Sequence, residues 1–102
     1  MRAVRYTPIV ISNWGILVNR EGNFTSVRLV YLQTGRFVES SNLIEVSVSA
    51  ERCSVIDEDN IEYHILGAPK SEYCEHNHNI QWDSNTIANH VSSISGLPLF
   101  SH

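Results

Sequence analysis

Residues 43–49 read LIEVSVS. Apolar Ile44, Val46 and Val48 alternate with Glu45, Ser47 and Ser49. An extended chain points successive side chains to opposite faces, so one set is expected to meet a core and the other water. That is the pattern of a half-exposed antiparallel strand. Residues 26–32, SVRLVYL, alternate differently, with Val27, Leu29 and Tyr31 on one face and Arg28, Val30 and Leu32 on the other. Apolar groups on both faces suit a central strand or one covered on both sides.

Further β-branched runs surround these two: Ile9–Ile11, Ile16–Val18, Cys53–Ile56 and Ile61–Leu66. In the last, Ile61, Tyr63 and Ile65 are expected to face the core, with Glu62 and His64 facing water. Turn chemistry separates the runs. Arg20-Glu21-Gly22-Asn23 precedes residue 24, Thr34-Gly35 fits a tight hairpin with Gly at positive φ, and Asp57-Glu58-Asp59-Asn60 fits a four-residue loop. Parallel crossovers need a dozen or more residues, which these connections lack. The sequence therefore predicts an α+β, β-dominated fold: an antiparallel meander sheet or small barrel of about five to seven strands with one C-terminal helix.

The helix is expected over about residues 84–95. Asp83-Ser84-Asn85-Thr86 offers N-cap residues, and Ile87, Val91 and Ile94 make one helical stripe. Gly96 stands where a left-handed cap belongs, with Pro98 just beyond. Trp82 and Phe100 bracket the helix and are expected to pin it to the sheet.

The chain has 102 residues, enough for a single domain over 1–102. Its net charge is −4, and its seven Lys and Arg residues are scattered. Nucleic-acid binding depends on clustered cations that displace counterions from phosphates, so no nucleic-acid partner is expected. No stretch reaches the ~18 apolar residues of a membrane span, and the N-terminal apolar run is broken by Ser12, Asn13 and Trp14 before a signal core can form. A cytoplasmic location with no membrane partner and with Cys53 and Cys74 reduced is the expectation.

The chemistry-bearing groups are few. CEHNH at 74–78 places Cys74, His76 and His78 at every second position, on one face if extended. A thiolate and two imidazoles suit Zn²⁺, with His90 or His64 as a fourth ligand. The usual arrangement of two separated ligand pairs is missing, so the competing reading is a polar surface loop. Cys53 lies among apolar strand residues and reads as core. Asp57, Glu58 and Asp59 lack the spacing of a calcium loop and read as a solvated hairpin tip. Trp14, Tyr31 and Tyr63 read as core or as the lining of a cavity. Trp82, Tyr73 and Tyr6 are the candidate walls of an aromatic ligand groove. No Gly-rich phosphate loop, G-x-S-x-G or H-E-x-x-H occurs, which leaves no cofactor or catalytic residue to assign.

The order of NW at 13–14, ESSNLIEV at 39–46, IEYHILG at 61–67 and a helix ending SGLPLF at 95–100 resembles the SANTA domain. That resemblance implies a protein-interaction module. It departs from the family at the closing aromatic-Pro-Trp ending, matched only in part by Leu97-Pro98.

These observations favour a non-catalytic interaction domain that pairs with a protein partner or with its own copy as a homo-oligomer. One short helix covers only part of a sheet, which leaves Val30, Leu32, Val38 and Leu66 in need of a second chain. Two alternatives stand beside this reading. One is a small-molecule-binding β-barrel serving as accessory protein of a mobile element. The other is a zinc protein built on Cys74, His76 and His78.

Overall fold

The computed structural model describes residues 7–70 and 81–101. In chain order they form β1 (Ile9–Ile11), β2 (Trp14–Glu21), β3 (Phe24–Gln33), β4 (Arg36–Val48), β5 (Cys53–Asp57), β6 (Glu62–Ile65), α1 (Ser84–Ser95) and β7 (Leu99–Ser101). The hydrogen-bonded path runs β1-β6-β5-β4-β3-β2, and β7 pairs with β4. From β2 to β6 the sheet is the expected antiparallel meander. Two pairs are parallel: β1 with β6, and β7 with β4. The sheet is therefore mixed, and the path is not closed into a barrel. Short turns correctly exclude crossovers between sequence neighbours. They say nothing about strands that meet across the intervening chain, and β4 and β7 have that whole length, helix included, between them.

Two corners divide the sheet. β4 is 13 residues long; its first part pairs with β3, and its second part pairs with β5 and β7. Both ladders carry an irregularity, and both place the extra residue on β4. Against β3, Arg28↔Asn42 is followed by Val30↔Glu39. The bulge leaves the Leu29 amide without a ladder carbonyl, and the Ser40 hydroxyl accepts it at 2.9 Å while donating to the Ser41 carbonyl at 2.7 Å. Against β5, Leu43↔Asp57 is followed by Glu45↔Ile56. This second bulge corrects the face assignment of LIEVSVS. Leu43 is buried with Val46 and Val48, and Ile44 is 51% exposed. One extra residue inverts the alternation on one side of it. The second corner is Ser12-Asn13, between β1 on β6 and β2 on β3. There Leu32 donates to the Asn13 carbonyl and Leu66 to the Ile11 carbonyl.

The core fills the concave side. Trp14, Leu29, Tyr31, Val46, Val55, Tyr63 and Ile65 meet Ile87, Ala88 and Val91 of α1. Burial of each large apolar side chain contributes roughly 1.5–3 kcal/mol. The Trp14 indole N–H donates to the Gly67 carbonyl at 3.1 Å, so its polar edge is satisfied. The helix has the expected bounds. Asp83 accepts from the Thr86 amide at 2.8 Å, and Gly96 takes φ +74° while its N–H bonds the Ser92 carbonyl. Its buried stripe is Ile87, Ala88 and Val91; Ile94 is 39% exposed. Trp82 and Leu99 pack against the core from either end of α1, whereas Phe100 points outward at 45% exposure.

The β5–β6 loop is organised from inside. Asp57 is fully buried, not part of a solvated tip. Its carboxylate accepts from the Asp59 and Ile61 amides at 3.0 Å each and from the Tyr63 hydroxyl at 2.9 Å. It thus takes over the hydrogen bonding of a turn in which Asn60 has φ +64°.

Candidate functional site

The register assigns every outward side chain to one of two surfaces. The first is the convex face of β2, β3 and the first part of β4. Leu32 and Phe37 are direct cross-strand partners there, 39% and 71% exposed. Leu17 is 46% exposed beside Arg28, its partner across the ladder. Val30, half-buried, lies between these groups. Arg28 and Glu39 form an exposed ion pair at 3.9 Å, and Arg28 also donates to the Asn42 side chain at 3.2 Å. Around Leu17, Val30, Leu32 and Phe37 the charges are one balanced pair; farther along the same face the register places Asn19 opposite Ser26 and Glu21 opposite Phe24. Of the residues expected to need cover, Leu32 and Leu66 are exposed and Val30 is half-buried, whereas Val38, opposite Tyr31, packs against the core and needs no second chain.

The second surface is the outer face of β7, β4, β5, β6 and β1. One row crosses all five strands: Phe100, Ser47, Ser54, His64 and Val10. The next row is Glu45, Ile56 and Glu62. A groove of about 460 Å³ lies over the two rows, with Arg52 and Ser49 at its far end. Phe100 and Val10, 45% and 62% exposed, flank the row at the two sheet edges.

Glu62 and His64 do lie on the outward face, with Glu62 half-buried and His64 almost covered. His64 is 9% exposed, its Nε2 lies 2.5 Å from Glu62, and its Nδ1 lies 3.5 Å from the Arg52 guanidinium. A carboxylate and a guanidinium thus hold the imidazole from both sides. With Nε2 donating to Glu62, Nδ1 accepts from Arg52. Both nitrogens thus have a charged neighbour.

Of the predicted site residues, only Trp82 lies among the described residues. Trp82 is half-buried and packs edge-on against His90 at a centroid distance of 5.2 Å, and Trp14 does the same from the other side at 6.3 Å. Burial holds the His90 imidazole below the usual histidine range. Trp82 also lines a smaller hollow of about 290 Å³ with Arg52, Asp83 and Leu66. Tyr6, Tyr73, Cys74, His76 and His78 lie outside the described residues, so the expected aromatic groove and zinc cluster do too. Among the described residues, no group of three or more His, Cys, Asp or Glu is placed to hold a metal ion. Trp14, Tyr31 and Tyr63 belong to the packed core, with the two tyrosine rings 5.5 Å apart. Cys53 is fully buried, and desolvation pushes its thiol up to about 12, so it stays protonated and unreactive at neutral pH.

Sequence reading missed the outer row because its members look unremarkable one by one. Ser47, Ser54 and His64 come from three separate strands, and only the register aligns them. Alternation within each strand does mark all three as non-core positions. That signal gives the face but not the neighbours.

No family model matches the chain, and neither does any curated protein or solved structure. Among the described residues no helix is long and apolar enough to cross a membrane.

Proposed function

We propose that the chain is a non-catalytic interaction domain that self-associates through the convex face of β2, β3 and the first part of β4. The observation that carries this reading is the Leu32–Phe37 pair. Two large apolar side chains stand side by side on a sheet surface, and Leu17 extends the same patch. Covering exposed apolar area is favourable at about 25 cal/mol per Å². The patch holds one Arg and one Glu, so it is electrically neutral and suits an isologous contact in which Arg28 of one copy faces Glu39 of the other.

Sedimentation equilibrium of the purified protein tests this. Dimers are expected at micromolar concentration, with Phe37→Asp shifting the population to monomer and Phe100→Asp, on the second outward surface, leaving it dimeric. A wild-type protein that stays monomeric at high micromolar concentration defeats the reading.

A further inference from the structure

We infer that the groove on the outer face of β4, β5 and β6 binds a lysine-type ligand, either the free amino acid or a peptide whose C-terminal residue is lysine. The charges are laid out for it. Glu45 and Glu62 flank Ile56 in one row across three strands. Neighbouring strands lie ~4.8 Å apart, so Ile56 lies between Glu45 on one side and Glu62 on the other; His64 holds one Glu62 oxygen, which leaves the second for the point above Ile56. That point suits an ammonium group, and the Ile56 side chain beneath it suits the aliphatic stem. Arg52 reaches back over the next row to His64. Rows on one face are spaced ~6.8 Å along the strands, about the length of a lysine side chain. A carboxylate placed at Arg52 meets the free N–H groups of the guanidinium fork while the ammonium sits between the two glutamates.

The floor supports a ligand independently of the charges. Ser47 and Ser54 are small, so a chain can lie close to the sheet. Ser54 is only 8% exposed, lines the groove, and has no side-chain hydrogen bond among the described residues. Its hydroxyl stands at the groove floor, where it can hydrogen-bond whatever fills the groove. His64, clamped between Glu62 and Arg52, fixes one acid and the base in place before the ligand arrives. Glu45 makes no ion pair among the described residues, so its charge is uncommitted.

The test uses the full chain and titration calorimetry with L-lysine and with Gly-Gly-Lys. Norleucine lacks the side-chain ammonium, and cadaverine lacks the carboxylate. Lysine or the tripeptide is expected to bind in the millimolar range or tighter, with both control compounds at least about fivefold weaker. Glu45→Gln and Arg52→Gln are each expected to weaken binding by about fivefold without lowering the melting temperature, because both side chains lie at the groove surface. Tighter binding of the tripeptide than of lysine assigns the groove to chain termini, and the reverse assigns it to the free amino acid. No heat from either ligand, equal binding of norleucine or cadaverine, or unchanged affinity in both folded variants overturns the inference. None of these results depends on the oligomeric state, so this site and the convex interface stand or fall separately.

Discussion

On the convex surface of β2, β3 and the first part of β4, Leu17, Leu32 and Phe37 stand beside one neutral ion pair. On the outer surface of β5, β6 and the second part of β4, the corresponding positions are serines, glutamates, a histidine and an isoleucine. One strand contributes to both surfaces, and its two bulges mark the boundary between them. The contrast teaches that a long strand in a small domain need not have one outside. A bulge costs a ladder bond, and here Ser40 replaces that bond with its own hydroxyl. In return, the chain turns a corner and presents two chemistries that a straight strand would have mixed.

The comparison can be broken most severely from the polar side. Asp57→Ala removes a fully buried carboxylate that accepts from two loop amides and the Tyr63 hydroxyl. Loss of a buried network of this kind costs roughly 3–5 kcal/mol. Urea denaturation is expected to show that loss, with hydrogen exchange accelerated first in β5 and β6. Uniform acceleration through β2 and β3 as well would show that the two surfaces unfold as one unit. A smaller break lies at the boundary itself. Ser40→Ala leaves the Leu29 amide without its acceptor and is expected to destabilise the domain by about 2 kcal/mol. Ser40→Thr, which keeps a hydroxyl, should recover much of that in the same denaturation series.

The smallest change sharpens the convex side. The β3–β4 turn has Thr34 at φ +45° and Gly35 at φ +79°. Two positive φ angles in a two-residue hairpin favour Asn-Gly, and a β-branched residue is poorly suited to the first position. Thr34→Asn is expected to stabilise the protein by roughly 0.5–1 kcal/mol. Thermal unfolding at fixed protein concentration checks this, since any self-association adds its own concentration-dependent term.

Much of this architecture was legible in the residues. Asp83 and Gly96 delimit the helix by cap chemistry that acts locally, and Val27, Leu29 and Tyr31 face inward as their alternation requires. What failed did so for nonlocal reasons. Nothing in ESSNLIEV signals an extra residue, because a bulge is a mismatch between two strands and is invisible in one. The parallel partners of β1 and β7 likewise depend on where distant segments come to rest. Asp57 reads as surface beside Glu58 and Asp59, and only the three donors that fold around it reveal why it is inside. The outer groove was hardest, since its rows exist only once β4, β5 and β6 are in register.

Both tryptophans of this chain, Trp14 and Trp82, stand edge-on to the same imidazole. The intrinsic fluorescence of the protein therefore comes from a single spot, where helix and sheet meet. A protonated imidazole quenches indole emission, and His90 is held neutral by burial to below its ordinary range. The emission thus acts as a built-in optical probe of that junction, bright through neutral pH and dimming only in acid or when the helix lifts away.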